Sequence, residues 1–323
     1  MEGKKILVAM PTGILYRDKL QAAWPESEFV FKEGPQVTPE DLKGVQIIIG
    51  NVAPGMLKNC DSLEWVQLNS AGSDNYAKEG VLPENVMLTN ATGSYGPALS
   101  EYVIAVSFAM IRNLDQYFAF QKEHRWVDAG PNGSMEGANV LVIGYGDIGQ
   151  ACGKRFKALG ATVTGVRRHA DPSPYADKVI TNDDVDAALA EADIVVMVLP
   201  NSPETIGYMD ARRFSLMKKG AYLVNVGRGP AVEPKALAEA LTSGHLGGAA
   251  IDVTDPEPLP ADDPLWDVPN LIITPHISGG FHMPVTGEKI TDIAAENMRH
   301  YQNGEPMRSV VDRKTGYRRY EKG

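Results

Sequence analysis

Three polar groups stand directly behind short apolar runs in the second half of this 323-residue chain. Arg228 follows residues 222–226 in Gly227-Arg228-Gly229. Asp252 ends the run 249–251, with Glu257 in the loop behind it. His276 follows 271–274 in Pro275-His276. If the runs are strands of one open parallel sheet, all three lie at its carboxyl edge, where such sheets bind ligands. Their chemistry is complementary. An arginine can hold a carboxylate and polarise a neighbouring carbonyl, and a histidine changes charge near neutral pH. A carboxylate reaching that histidine favours the imidazolium and fixes its tautomer. Arg228, Glu257 and His276 therefore suit reduction of a 2-keto acid by hydride from a nicotinamide.

A phosphate-binding loop supports the same chemistry. Val140-Leu141-Val142-Ile143 runs into Gly144-Tyr145-Gly146-Asp147-Ile148-Gly149, and a helix opens there. The first glycine permits the tight turn, the second lets a pyrophosphate approach the backbone, and the third lets helix and strand pack closely. The helix N-terminus then presents amides and the positive end of its dipole to the phosphates. NAD-binding versions carry an acid about 20 residues on for the ribose 2′-hydroxyl. Here Arg167 stands 18 residues after Gly149, Arg168 follows, and no acid is present. Two guanidinium groups suit a 2′-phosphate, so NADP(H) is expected as the preferred cofactor, with NAD(H) possible. The competing reading stacks one arginine on adenine and leaves the other as surface charge.

Such residues need a scaffold, and the chain alternates accordingly. A first round places β-rich runs at 5–10, 46–50, 65–69 and 86–89, with helix-compatible segments at 16–23 and 39–42. A second, cleaner round has strand runs at 140–144, 162–166, 194–199, 222–226, 249–253 and 271–274, with helices at 148–159, 185–190 and 234–241. This spacing predicts an α/β chain with two doubly wound parallel sheets. A mostly apolar helix at 100–113 precedes the second round, and 285–301 forms a return helix. The basic tail 313–322 is expected to be solvated.

Composition narrows the class. Hydrophobic residues make up 43% and charged residues 22%, as in an ordinary globular protein. Lys and Arg total 31 against 41 Asp and Glu, a net charge of −10 that disfavours nucleic acid. Cys60 and Cys152 form neither a disulfide framework nor a metal-ligand spacing, which fits a cytoplasmic protein without a metal. The longest mostly apolar stretch, 102–111, is far below the ~18–20 residues needed to cross a bilayer. Residues 1–10 read as a strand, not a signal peptide.

Several stretches together resemble the D-isomer-specific 2-hydroxyacid dehydrogenases. They are Asn225-Val226-Gly227-Arg228-Gly229, Gly248-Ala249-Ala250-Ile251-Asp252-Val253, Glu257-Pro258-Leu259, Pro264-Leu265-Trp266 and Thr274-Pro275-His276. Leu199-Pro200-Asn201-Ser202-Pro203-Glu204-Thr205 and Ser70-Ala71-Gly72-Ser73-Asp74-Asn75 match as well, so the likeness runs from about residue 45 to 285. The resemblance implies that Arg228 binds the substrate carboxylate and carbonyl, Glu257 supports the histidine, and His276 is the general acid/base. It places the Ala71 and Gly72 amides on the substrate carboxylate, Asp147 and Ile148 at the pyrophosphate, Asp252 on the nicotinamide side, and Pro200, Thr205 and Val226 along the cofactor cleft. It further implies a Rossmann-type nucleotide-binding domain, 99–284, inserted in a flavodoxin-like substrate domain made of 1–98 and 285–323. Closure of the two domains would exclude water, and a homodimer would use the helix at 100–113.

The chain departs from the family pattern at Ile277-Ser278-Gly279-Gly280-Phe281. Ser278 either bonds the nicotinamide carboxamide or is a tolerated small residue, and Phe281 either shapes the substrate pocket or packs. Residues 52–55 and 94–95 are the other places where substrate choice would be set. No serine-responsive regulatory domain is expected. His124, His169, His245, His282 and His300 receive no chemistry. Trp24 and Trp65 read as packing residues, and so, by preference, do Trp126 and Trp266. A second class of function stays open at this stage: a dinucleotide-sensing binding module of corepressor type with little turnover. The keto acid and the direction of flux are not encoded in any motif.

Overall fold

A computed structural model of the chain describes residues 2–11, 14–58, 60–279 and 283–318. The chain divides into two compact units, Met1–Tyr95 with Gly280–Gly323, and Gly96–Gly279. Gly280, Phe281 and His282 lie outside the described residues, as does the end of the tail.

The first unit carries a five-stranded sheet: β1 (Lys5–Ala9), β2 (Glu28–Phe31), β3 (Ile47–Gly50), β4 (Trp65–Gln67) and β5 (Met87–Thr89). Its order is β2-β1-β3-β4-β5 and every pairing is parallel, the doubly wound flavodoxin-like arrangement. Strands covered on both faces read as continuous apolar runs, and Ile47, Ile48 and Ile49 are all fully buried. Side-chain alternation sends Leu7, Ile48 and Val66 to one core and Ile6, Val8, Ile47, Ile49 and Trp65 to the other. The second core is closed by α1 (Ile14–Ala23), through Leu20, and by the return helix Pro284–Asn303, through Ile290, Ala294 and Met298. Two single turns, α2 (Pro54–Leu57) and α3 (Asp74–Ala77), follow β3 and β4.

The second unit opens with α4 (Gly96–Ile111) and α5 (Leu114–Lys122). Its strands are β6 (Asn139–Ile143), β7 (Thr162–Val166), β8 (Lys178–Ile180), β9 (Ile194–Met197), β10 (Tyr222–Asn225), β11 (Gly248–Ile251) and β12 (Leu271–Ile273). They pair in the order β12-β11-β10-β9-β6-β7-β8, all parallel. Chain order thus reverses between β6 and β9, the switch point at which doubly wound sheets bind ligands. The helices α6 (Asp147–Ala158), α7 (Val185–Leu189), α8 (Ala211–Leu216) and α9 (Pro234–Thr242) make the crossovers, and α4 packs on α6, β10 and β11. The return helix is α10. A two-stranded ribbon, β13 (Val311–Asp312) with β14 (Tyr317–Arg318), ends the described chain.

Several local expectations change. The helix expected at 100–113 begins at Gly96 and stops at Ile111, because Asn113 adopts a left-handed backbone (φ 53°) before α5 starts. Segment 39–42 is one 3₁₀ turn held by a Thr38–Asp41 capping box. The strands β2 and β8 were not expected. β8 is a three-residue edge strand, too short for a pattern. Nor is the start of the tail solvated. Arg313 donates through Nη1 to the Leu82 and Pro83 carbonyls, at 3.1 and 2.8 Å, and through Nη2 to Val86. Burial pushes its guanidinium below the ordinary value. No helix among the described residues is long and apolar enough to cross a membrane.

Candidate active site

Sheet order converts scattered sequence positions into one row. Along the carboxyl edge of the second unit, β12 delivers His276, β11 delivers Asp252 and the Glu257 loop, and β10 delivers Val226 and Arg228. Next, β9 delivers Pro200 and Thr205, β6 the glycine loop, and β7 Arg167 and Arg168. Strands lie about 4.8 Å apart, so the row has the extended form a dinucleotide requires. The acid–base candidates sit at one end and the arginine pair near the other.

His276 and Glu257 meet directly. His276 Nδ1 lies 2.9 Å from Glu257 Oε2, and the Thr254 amide donates to Glu257 Oε1 at 3.1 Å, fixing the carboxylate. An ionised carboxylate can only accept, so against it Nδ1 is the donor, and Nε2 is left for another partner. About half of the His276 side chain is exposed. Its backbone is left-handed (φ 54°), with its amide donating to the carbonyls of Asp252 (2.8 Å) and Thr274 (3.0 Å).

Arg228 is half-buried, with Nη1 donating to the Gly227 carbonyl at 2.8 Å. Its loop is clamped by Asn225, which is fully buried. Asn225 Oδ1 accepts from the Gly227 amide (3.1 Å) and Nδ2 donates to the Arg228 carbonyl (3.1 Å). Sequence reasoning gave Asn225 no role. The signal was a polar residue ending an apolar strand. Asp252 is 1% exposed and turned into the protein. Its Oδ1 accepts from Thr274 Oγ1 at 2.5 Å and from the Ile277 amide at 2.9 Å, and Oδ2 accepts from the Ser278 amide at 2.8 Å. This carboxylate is spent on the turn that carries His276. Ser278 is itself buried there.

The glycine loop fits the dinucleotide expected of it. A Cβ on Gly144 (φ 95°) would lie 2.5 Å from the Val198 carbonyl oxygen, and one on Gly149 would lie 2.4 Å from that of Gly144. Both positions are closed to side chains. At Gly146 a Cβ would meet nothing within 4 Å. Open space therefore lies over the residue that caps α6, where the amides of Asp147, Ile148 and Gly149 have no intrahelical partner. Tyr145 turns inward instead, donating to the Tyr175 carbonyl at 2.6 Å and packing its ring on Gly165. Thr205 Oγ1 donates to the Pro200 carbonyl at 2.7 Å and accepts from the Ser202 amide at 2.9 Å, closing the loop after β9. Val226 is buried at the end of β10.

The two arginines separate. Arg167 is half-buried and its Nη2 donates to the Asp171 carbonyl, leaving Nε buried without a partner. Arg168 is exposed. Its charge joins the Ser202 hydroxyl, which bonds Glu204 Oε2 at 2.6 Å, in holding that carboxyl below its ordinary range.

In the first unit, the loop after β4 holds Ala71 and Gly72. Asn90 Nδ2 donates to the Ala71 carbonyl (2.8 Å), and Ser70 Oγ to that of Gly72 (2.7 Å). Asn51 braces the same loop through Ser70 Oγ (3.1 Å) and the Asn69 amide (3.1 Å). Among the described residues neither the Ala71 nor the Gly72 amide donates to a protein acceptor. Of the remaining residues singled out, Trp24 and Trp65 are buried. Trp126 is fully exposed, Trp266 donates to the Pro260 carbonyl at 2.7 Å, and His245 Nε2 lies 2.9 Å from the Phe214 carbonyl. Among the described residues no cluster of three His, Cys, Asp or Glu could hold a metal ion.

Comparison with known proteins agrees with this fold. Residues 104–278 match the family model of the D-isomer specific 2-hydroxyacid dehydrogenase NAD binding domain. The chain is similar to a D-isomer specific 2-hydroxyacid dehydrogenase family protein from Aeromonas salmonicida, with 32% identity, 97% of this chain and 100% of that one covered, and a TM-score of 0.86. It is similar to a D-isomer specific 2-hydroxyacid dehydrogenase from Xanthobacter autotrophicus solved with NADPH and MES, at 28% identity, 98% and 100% coverage and a TM-score of 0.82. It also resembles an NADPH-dependent glyoxylate/hydroxypyruvate reductase from Sinorhizobium meliloti solved with NADP and sulfate, at 25% identity, 97% and 100% coverage and a TM-score of 0.82.

Proposed function

The chain belongs to the D-isomer specific 2-hydroxyacid dehydrogenase family, and from that premise we propose that this NAD(P)-dependent 2-hydroxyacid dehydrogenase reduces a small 2-keto acid to the D-2-hydroxy acid, with NADPH preferred. The observation that carries the proposal is the 2.9 Å contact of His276 Nδ1 with Glu257. It fixes the tautomer, so that Nε2 is the atom that hands a proton to the substrate's carbonyl oxygen. Arg228 grips the substrate carboxylate and draws charge toward the carbonyl. In the first unit the amides of Ala71 and Gly72, which have no protein acceptor among the described residues, are suited to bind a carboxylate. When bound, the nicotinamide supplies hydride chemistry. Gly144, Gly146, Asp147, Ile148 and Gly149 hold its pyrophosphate, Pro200, Thr205 and Val226 line its course, and Arg168 meets a 2′-phosphate. Asp252 and Ser278 serve through the turn that presents His276. The solved relatives that carry NADPH or NADP support the cofactor choice, and the glyoxylate/hydroxypyruvate reductase supports a small substrate.

The test is loss of reduced-nicotinamide absorbance with purified protein, comparing NADPH with NADH across glyoxylate, hydroxypyruvate, pyruvate and bulkier 2-keto acids. Turnover favouring NADPH with the smaller acids is expected. Equal use of NADH would keep the dehydrogenase and remove the 2′-phosphate assignment. No turnover of any acid, with cofactor binding confirmed, would overturn the reductase.

A further inference from the structure

The turn that presents His276 is held by a chain of hydrogen bonds that begins on another element, α4. Tyr102 OH lies 2.6 Å from Thr274 Oγ1, and Thr274 Oγ1 lies 2.5 Å from Asp252 Oδ1. Asp252 in turn accepts the amides of Ile277 and Ser278, the two residues that follow His276. The direction of the chain follows from proton counting. The Asp252 carboxylate only accepts, so the single Thr274 hydroxyl proton points at it. Thr274 Oγ1 must then accept, and Tyr102 must donate. Burial pushes the Tyr102 phenol up to about 12, ahead of the smaller effects of Thr274 and the Asp252 charge, so it stays a donor across the working range.

The need for such a chain is visible at His276. A non-glycine residue at φ 54° sits in a sparsely populated backbone region and persists only where its surroundings hold it. Here the holding is done by the Asp252 carbonyl on the His276 amide and by the Asp252 carboxylate on the next two amides. If Thr274 Oγ1 lost its donor, its hydroxyl could turn, and Oδ1 would lose one of its two contacts. His276 would then sample orientations in which Nδ1 and Glu257 part.

We propose that Tyr102 is a positioning residue for the reaction, the fixed donor that, through Thr274 and Asp252, keeps the His276 turn in its productive left-handed form. The proposal rests on the reading of His276 as proton donor.

The experiment compares purified His276→Ala, Tyr102→Phe, Thr274→Val and the Tyr102→Phe/Thr274→Val double variant with the parent protein. For each, kcat, KM for the keto acid, NADPH affinity by fluorescence titration and thermal midpoint are measured. Tyr102→Phe removes one oxygen and keeps the ring. It is expected to lower kcat about tenfold, the scale of one hydrogen bond to a charged network. KM and NADPH affinity should stay within about twofold. Adding Tyr102→Phe to Thr274→Val should lower kcat no further, because the chain is already broken. Multiplying losses in the double variant, a parental kcat in Tyr102→Phe, or a fall confined to the thermal midpoint would each overturn the role of Tyr102. His276→Ala separates the two readings. If it keeps near-parental turnover, the proton-donor assignment fails. If it is inactive while Tyr102→Phe is unaffected, only the positioning role fails.

Discussion

At the scale of single residues, the proposed preference for NADPH turns on two successive side chains that follow β7. The sequence offers Arg167 and Arg168 as equals. Their surroundings make them unequal. Arg167 is half-buried with its Nη2 on the Asp171 carbonyl, whereas Arg168 is exposed beside Glu204. Arg168→Ala is therefore expected to lower kcat/KM for NADPH about 10- to 100-fold, the worth of a lost charge-assisted contact, and to leave NADH within about twofold. Parallel kinetics with the two cofactors check this. Equal loss with both would instead assign Arg168 to the shared adenosine part, as in the stacking reading. His276 with Glu257, by contrast, could be singled out in the sequence from residue types behind adjacent strand runs. Tyr102, Asn225 and Thr274 could not, because a tyrosine in an apolar helix and a polar residue closing a strand look like ordinary packing until the tertiary partner is known.

At the scale of elements, the β6–α6 connection separates folding from binding within one motif. Gly149 is pressed against the Gly144 carbonyl and the Val142 side chain, so a methyl there must push α6 away from β6. Gly146, at φ −85° and ψ −148°, lies outside the ordinary helical and extended regions but has clear space around a new Cβ. Gly149→Ala should thus cost about 1–3 kcal/mol of stability through overpacking. Gly146→Ala, which meets no atom, should cost less, about 1 kcal/mol for its backbone, and weaken NADPH binding several-fold, since the methyl enters the space proposed for the pyrophosphate. Denaturation and cofactor titration on both variants check the pair, and the reverse ranking would mean that the open space is not the cofactor's. The long central strands and α6 were legible because apolar runs between glycines leave few alternatives. The sequence pattern missed β2, whose Phe29 and Phe31 stack on one face, and also missed β8. It overran α4 at Asn113, where a left-handed residue starts α5, a helix with no buried residue to give it an apolar stripe. Such elements take their form from neighbours.

At the scale of the whole molecule, the first unit must join chain segments that lie far apart in sequence, and it does so with a buried polar network inside an apolar core. Asn297 on α10 donates through Nδ2 to Gln67 Oε1 on β4 at 2.7 Å, across 230 residues, and to the Arg308 carbonyl at 3.1 Å, while its Oδ1 accepts the Arg308 amide at 2.8 Å. Gln67 Oε1 also accepts from Thr89 Oγ1 at 2.8 Å, and Thr89 accepts from Trp65 Nε1 at 2.8 Å. Gln67, Thr89 and Asn297 are all essentially unexposed. Apolar packing alone would let α10 slide along the sheet at small cost. A network in which each buried group has its partner admits one register only, because any shift strands several groups at once. Asn297→Leu keeps the volume but leaves the Arg308 amide and carbonyl without their partners. It should destabilise the protein by about 2–4 kcal/mol, read as a lower urea midpoint. NADPH affinity should persist, since the glycine loop and Arg168 belong to the other unit. A variant as stable as the parent would mean that the apolar contacts of Ile290, Ala294 and Met298 suffice to seat the helix. A matching loss of NADPH affinity at temperatures where the variant stays folded would mean that the join between chain segments also shapes the cofactor-binding unit.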